Sequence, residues 1–310
     1  MSQSDKLPAP TDLKDRVAGL SPGKLDRLNN CPKLASLQSI YKALASLLES
    51  DHAYLSQIAE LIGRDPPLTS RLLKLVNSVF YGLHEPCTNI EEAALAAGLD
   101  QISELILSTP IIEDLQKLQE GEDSIIDWTK FWQHSIATAI LSRELFSIRQ
   151  DGCRGDIDYI AGLIHNVGKI IMALVFPEDF ATVSKKTHQD EVEEIKAEEK
   201  VAGADHAVLG AFYLNANRLP FEIVESTLCH VRPLEAVEYP VLSAAIQVAA
   251  ALARLAGICG IENLPIPEWQ DIEQLDGWRM LFGNNPAPPH VRNSLDPTLE
   301  RLEVFLSGMV

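Results

Sequence analysis

The sequence predicts an all-α protein built from two helical subdomains. Apolar residues recur at intervals of three and four along most of the chain, which is the spacing of a helix with one buried face. No stretch alternates apolar and polar residues with the period of two that a half-buried strand requires. Prolines, aspartates and glycines stand at the ends of these apolar patterns, where helices begin and end.

Composition and charge exclude several classes of partner. The 310 residues include 46% hydrophobic residues, with 26 Lys and Arg against 44 Asp and Glu, for a net charge of −18. Such a surface repels phosphate backbones and anionic lipid, so neither nucleic acid nor a membrane is expected as a partner. No apolar run reaches the roughly 18 residues that a membrane-spanning helix requires. We therefore expect a cytoplasmic protein.

The first part of the chain divides into an arm and a helical subdomain. Residues 1–30 are polar and rich in proline, which predicts an irregular arm with room for one short helix. Residues 31–122 form the predicted first subdomain, with helical patterns over residues 34–48, 55–62, 66–80, 90–97 and 99–118.

The helix predicted over residues 66–80 is apolar on more sides than one buried face needs. Asn77 and Phe80 lie near its end, next to further aromatic surface at Tyr81. Surplus apolar and aromatic surface is typical of an interface, so these two residues are candidate contacts with a partner. The alternative is a central helix that is covered by its own subdomain.

A polar segment at residues 121–123 marks the boundary to the second subdomain, residues 123–260, and residues 261–310 follow as a proline-rich helical appendage. Residues 188–200 are strongly charged, which favours a solvated helix or a lid. The further helical patterns of this region cover residues 128–140, 159–174, 206–213, 220–230, 240–255, 269–282 and 291–305.

The stretch from Tyr159 to Met172 places polar residues in an otherwise apolar helix. His165 and Lys169 are four residues apart and lie one above the other on a helix, with Asn166 beside them. The pattern indicates that this helix lines a functional site or carries the remains of one.

Four histidines, His134, His165, His206 and His230, each fall on or at the end of a separate predicted helix. A single histidine on an apolar face is more often a core residue than a ligand. Four on successive helices favour a metal site, because helical bundles build such sites from side chains of different helices. A metal that hydrolyses phosphate esters also needs carboxylates, which supply anionic oxygen ligands.

Five segments of the chain together form the pattern of a known family. They are Asp65-Pro-Pro-Leu-Thr-Ser-Arg-Leu-Leu-Lys-Leu-Val-Asn-Ser-Val-Phe-Tyr-Gly82, Phe131-Trp-Gln-His-Ser135, Gly162-Leu-Ile-His-Asn-Val-Gly-Lys169, Asp205-His-Ala207 and His230 ahead of Pro233. On these segments the chain resembles the HDOD proteins, the regulatory branch of the HD phosphohydrolase superfamily, which is related to the HD-GYP proteins. This resemblance implies that the second subdomain is an HD-like helical bundle.

Departures from the superfamily pattern bear on function. The resemblance places an aspartate at Asn166 and another at Ala250, and neither residue is anionic. Two carboxylate ligands are therefore missing, and a two-metal centre is not expected. The four imidazoles could still hold one divalent transition metal, and no other cofactor is expected.

The resemblance implies a non-catalytic signalling module that acts on partner proteins, with a degenerate site at His134, His165, Asn166, Lys169, His206, His230 and Ala250. The alternative is a metal-dependent phosphohydrolase that acts on a nucleotide or cyclic dinucleotide, with the four histidines as ligands and Lys169 on the phosphate. A third hypothesis is a pocket that binds a nucleotide-like ligand without cleaving it.

Overall fold

The structure is a computed structural model that describes residues 11–31, 73, 76, 87–90, 92–96, 126–149, 157–217, 219–261, 264–283 and 288–309. Every long regular element in these residues is an α-helix, which confirms the predicted all-α fold. The predicted boundary at residues 121–123 and nearly all of the first subdomain, including Asn77 and Phe80, lie outside the described residues.

Two short helices, α1 (Thr11–Arg16) and α2 (Pro22–Asn29), lie in the segment expected to be an irregular arm. Ser21 begins α2 by accepting a hydrogen bond from the Lys24 N–H, and a proline follows in the first turn. Four leucine and valine residues of this segment are buried: Leu13, Val17, Leu20 and Leu28. The arm is therefore packed on the rest of the protein, and it contains one more helix than the prolines suggested.

The other helices whose bounds the structure describes lie between residues 128 and 309. Their bounds are α3 (Trp128–Arg149), α4 (Ile157–Ile164), α5 (Val167–Val175), α6 (Pro177–Ser184), α7 (Glu191–Ala202), α8 (His206–Ala216), α9 (Phe221–Cys229), a 3-10 turn (Pro233–Glu235), α10 (Pro240–Leu255), α11 (Trp269–Glu273), α12 (Asp276–Phe282) and α13 (Pro289–Met309).

Helix α3 lies at the centre and packs against α4 and α10. Small residues let these helices approach closely, as at Gly162 of α4, where an added Cβ would lie 2.7 Å from the Ala139 Cα. Helix α10 is mostly alanine and valine on its buried side, and Gly257 ends it in the left-handed conformation with φ 80°. The core therefore depends on close helix packing.

The stretch predicted as one continuous helix over residues 159–174 is two helices. A turn at His165 and Asn166 separates α4 from α5, and Asn166 has φ −93° and ψ 14°, outside the regular helical range. His165 and Lys169 thus do not share one uninterrupted helix. The turn places His165 and Asn166 at a helix junction, where the His165 ring lies beside those of His134 on α3 and His230 at the end of α9.

The segment from Ile157 to Val175 is the one stretch of the described chain long and apolar enough to cross a membrane. Within its 18-residue window, 83% is buried inside the fold. Such burial is typical of helices in the core of a folded protein. The turn at residues 165–166 also interrupts the segment, so it is not one continuous helix.

Candidate functional site

The four predicted histidines lie side by side in the core of the helical fold. His134 comes from α3, His165 from the turn between α4 and α5, His206 from the first position of α8, and His230 from the end of α9. The ring centroids of His134 and His165 are 5.6 Å apart, those of His165 and His230 are 5.3 Å apart, and those of His206 and His230 are 5.3 Å apart. The rings follow one another in the order His134, His165, His230 and His206, and this row is called the histidine chain. Each of the four residues is at most 2% exposed.

Each ring is oriented by an acceptor at its Nδ1 atom. His134 Nδ1 lies 2.8 Å from the Ile258 carbonyl oxygen, His165 Nδ1 lies 2.6 Å from that of Gly162, and His230 Nδ1 lies 2.7 Å from that of Thr227. A carbonyl oxygen only accepts, so Nδ1 of these three rings carries the proton and Nε2 carries the lone pair when the ring is neutral. Hydrogen bonds of this kind orient imidazoles toward a metal or a shared proton.

His206 is oriented by a carboxylate. Its Nδ1 lies 2.7 Å from Glu198 Oε2, and the same oxygen accepts the backbone N–H of His206 at 2.8 Å. Glu198 is 2% exposed. A buried carboxylate that holds both the backbone and the ring fixes the start of α8 and the direction of the His206 side chain.

The Nε2 atoms of His206 and His230 face each other at 3.3 Å. Burial, followed by the nearby His206 ring, lowers the pKa of His230 to about 3, so His230 is neutral near pH 7. With the His230 lone pair directed at His206, the pair is stable only when a proton or a cation lies between the two nitrogens. Glu198 is placed to balance a positive charge on His206.

A metal centre needs at least three such ligands in one place, and the described residues do not provide them. The 3.3 Å between the His206 and His230 nitrogens matches the roughly 3.3 Å that two ligands span across a tetrahedral zinc ion with Zn–N bonds near 2.0–2.1 Å. Within the described residues, however, no group of three or more His, Cys, Asp or Glu side chains has the geometry to hold a metal ion. The arrangement fits half of a tetrahedral site.

Gly168 explains how α5 comes so close to the start of α8. A Cβ at this position would lie 1.7 Å from the His206 carbonyl oxygen, which no side chain tolerates. Glycine therefore permits a backbone approach that brings the His165 turn and Lys169 beside His206.

Lys169 is buried, at 2% exposure, and its Nζ atom lies 3.0 Å from both carboxylate oxygens of Glu194. Asn166 and Ala250 are buried as well, at 4% and 1% exposure. The ammonium that the phosphohydrolase hypothesis assigns to a phosphate is thus paired with a carboxylate of the protein.

The sequence-based prediction did not include Glu194 and Glu198 among the site residues. It assigned residues 188–200 to a solvated helix or lid. That expectation is wrong for the inner face of α7, because these two glutamates and Ile195 are buried. The available signal was the spacing of Glu191, Glu194 and Glu198, which places three carboxylates on one side of a helix.

The family model of the HDOD domain matches residues 34–233 of the chain. An uncharacterised protein of Treponema pallidum (strain Nichols) is 25% identical over 262 residues, which cover 84% of this chain and 49% of that protein. The chain therefore spans about half the length of this curated relative.

Several solved structures share the fold. An HDOD domain protein of unknown function from Geobacter sulfurreducens has a TM-score of 0.72 and 20% identity over 97% of both chains. A candidate phosphohydrolase from Shewanella amazonensis SB2B has a TM-score of 0.65 and 17% identity, over 94% of this chain and 100% of that one. A candidate signal transduction protein from Marinobacter aquaeolei VT8 has a TM-score of 0.63 and 19% identity, over 97% of this chain and 64% of that one.

Proposed function

The chain belongs to the HDOD domain family, whose match covers residues 34–233, and from that premise we propose that it is a non-catalytic regulatory module of bacterial signal transduction. In this role the degenerate HD site is a structural centre, and partner proteins in the cytoplasm recognise the conformation of the helical bundle.

The observation that supports this function most is the pairing of Lys169 with Glu194. Both side chains are less than 10% exposed, and Nζ lies 3.0 Å from each carboxylate oxygen. A phosphate that approached Lys169 would have to displace this carboxylate, since two anionic groups cannot share one buried ammonium without a large desolvation and repulsion cost. The pairing thus disfavours phosphate binding at this position.

The missing carboxylates support the same function. Hydrolytic metal sites lower the pKa of a bound water and stabilise the charge that develops on phosphate, and anionic ligands help to hold the metal ions. Asn166 and Ala250 stand where the family resemblance places aspartates, and both are buried without a carboxylate.

The phosphohydrolase alternative rests on the His206 and His230 pair. Their Nε2 separation of 3.3 Å equals the spacing of two ligands on a tetrahedral metal, and all four imidazoles are already oriented through Nδ1. A shift of the His134 and His165 rings would complete a four-histidine site, which would then polarise a phosphate ester of a nucleotide or cyclic dinucleotide.

Complementation of cells that lack the protein distinguishes the two functions. A regulatory module retains signalling in the His165→Gln variant, because the glutamine amide can still donate a hydrogen bond to the Gly162 carbonyl although the imidazole ligand is gone. A phosphohydrolase loses signalling in the same strain. Immunoblotting confirms that the variant accumulates to the wild-type level, and a loss of signalling at normal abundance would contradict the regulatory function.

A further inference from the structure

A cavity of about 370 Å³ lies between the start of α7, one side of α10, the loop at residues 264–267 and α11. Its apolar wall includes Ala251, Leu264 and Ile272, and Gln247 also lines it, with its Nε2 atom donating a hydrogen bond to the Val231 carbonyl oxygen. Cavities of roughly 300–1,000 Å³ with apolar walls and a few polar groups are typical of small-molecule sites. This one lies next to the histidine chain and does not contain its rings.

One ion pair stands in the wall of this cavity. Arg254 of α10 is bonded to Glu191, the first residue of α7, and the two side chains are 9% and 15% exposed. Two further carboxylates, Asp190 and Asp271, lie at the exposed rim, where each caps a helix start by accepting a backbone N–H. The polar part of the cavity therefore presents one guanidinium and several carboxylates.

The ion pair restricts which ligand charge the cavity accepts. A ligand with only an anionic group would take Arg254 from Glu191 and leave that carboxylate without its ionic partner in a largely buried place, which is costly. The acidic rim would also repel such a ligand. A ligand with only a cationic group would separate Arg254 from Glu191 in the same way. A zwitterion satisfies both side chains, because its carboxylate binds the guanidinium while its ammonium binds Glu191.

We propose that this cavity is a binding site for a free amino acid with an apolar side chain, held through its carboxylate by Arg254, through its ammonium by Glu191, and through its side chain by the Ala251, Leu264 and Ile272 wall. The acidic rim attracts the ammonium. Binding of an amino acid in this cavity requires neither the proposed regulatory function nor a metal at the histidines.

Helix α7 connects the cavity to the histidine chain. Glu191 begins the helix whose Glu194 and Glu198 bind Lys169 and His206. A ligand that opens the Glu191–Arg254 pair therefore changes the anchoring of the first turn of α7, one turn away from Glu194. The expected consequence is altered amide hydrogen exchange in residues 191–202 when the site is occupied.

Isothermal titration calorimetry of the full-length protein with three matched ligands tests the site. L-leucine carries both charges, N-acetyl-L-leucine carries only the carboxylate, and L-leucinamide carries only the ammonium. L-leucine is expected to bind at least about tenfold more tightly than either analogue, since each loses one charge-assisted hydrogen-bonded contact. Equal binding of N-acetyl-L-leucine, or no binding of L-leucine, L-valine or L-phenylalanine at millimolar concentration, overturns the proposal.

Two variants locate the bound ligand. Glu191→Gln and Arg254→Gln are each expected to weaken L-leucine binding about tenfold or more, while Arg279→Gln leaves it unchanged. Arg279 is a matched control, because it also pairs with a carboxylate, Asp276, and it lies outside the cavity with half of its side chain exposed. Far-UV circular dichroism checks the fold of each variant, and unchanged leucine affinity in folded Glu191→Gln protein contradicts the assignment.

Discussion

At the residue scale, the histidine chain depends on how closely two backbones approach. Gly168 lies so near the His206 carbonyl oxygen that a Cβ would overlap it at 1.7 Å, and a backbone oxygen cannot rotate out of the way. The contact joins the start of α5 to the start of α8, which carry Lys169 and His206. Because residue 168 is a glycine, the starts of the two helices can lie close enough to bring Lys169 and His206 together.

Replacing Gly168 with alanine is expected to lower the free energy of unfolding by about 3 kcal/mol or more. The added methyl group would overlap a backbone atom, and such an overlap costs more than overlap with a side chain that can rotate away. Gly23→Ala is the matched control. Gly23 also lies in a helix, an added Cβ would meet nothing within 4 Å, and alanine there should raise stability by up to about 1 kcal/mol. Urea denaturation measures both, and equal stabilities of the two variants would contradict the close approach.

The buried His230 makes stability depend on pH. Its pKa is lowered from 6.5 to about 3 in the folded protein, chiefly by burial and then by His206. Between these values the unfolded chain binds a proton that the folded protein does not, so the free energy of unfolding decreases as pH falls from about 6.5. The contribution of His230 is measured by comparing the pH dependence of the wild-type protein with that of a variant that lacks this imidazole.

In EDTA-treated protein, His230→Gln is expected to reduce the loss of stability between pH 7 and pH 5, because glutamine takes up no proton in the unfolded chain. Urea denaturation at several pH values provides the slope for both proteins. An identical slope in the variant would show that His230 does not remain neutral in the fold.

The helix that carries a given residue could be predicted from the sequence wherever the apolar residues around it repeat with the helical period. His134, Lys169 and Ala250 could be placed on helices from apolar spacing, because packing repeats every three to four residues. The spacing of Glu194 and Glu198 places them on one side of a helix but does not show that this side is buried, since isolated carboxylates are rarely buried and their partners come from α5 and α8. Burial of these charges follows from tertiary packing, which local periodicity does not contain.

At the element scale, α7 is held by charges as much as by apolar packing. Its buried residues are Glu194, Ile195, Glu198 and Ala202, so carboxylates make up half of its inner face. Lys24 adds a contact from α2, since its Nζ atom lies 3.0 Å from the Ala202 carbonyl oxygen at the end of α7. The helix contacts the histidine chain through Glu198 and His206, and it is anchored by Arg254 at its start and by Lys24 at its end.

The Lys169 and Glu194 pair is expected to behave as a buried ion pair. Lys169→Met or Glu194→Met alone should lower the free energy of unfolding by about 3–5 kcal/mol, because each leaves one buried charge without its ionic partner. The double variant should cost clearly less than the sum. Lys130→Met is the control, since Lys130 pairs with Asp127 on the surface and should change stability by at most about 1 kcal/mol. Additive single effects in chemical denaturation would contradict a direct buried pair.

At the scale of the whole molecule, α3, α4 and α10 pack together at the centre of one core, and the N-terminal helices α2 and α1 pack on it through α5 and α8. The all-α class could be predicted from sequence because every element repeats the same period. The helix break at residues 165–166 could not, since no proline or glycine marks it and apolar residues continue across it. The division into subdomains at residues 31–122 and 123–260 stays a prediction.

The first subdomain is expected to be required for signalling. A fragment of residues 123–310 should fail to restore signalling in cells that lack the protein, and Asn77→Leu or Phe80→Ala in the full chain should weaken partner binding. Hydrogen exchange of residues 126–261 serves as the control that the second subdomain keeps its fold. Restoration by the fragment alone would mean that the first subdomain, with Asn77 and Phe80, is dispensable.

The most direct test of a non-catalytic role is phosphoesterase turnover by the purified full-length protein, supplied in turn with Zn²⁺, Mn²⁺ and Mg²⁺. The substrates are p-nitrophenyl phosphate, bis-p-nitrophenyl phosphate and cyclic dinucleotides. The predicted result is no hydrolysis above the metal-only background, because Asn166 and Ala250 supply no carboxylate and Glu194 holds Lys169. Metal-dependent turnover that His165→Ala abolishes would contradict it.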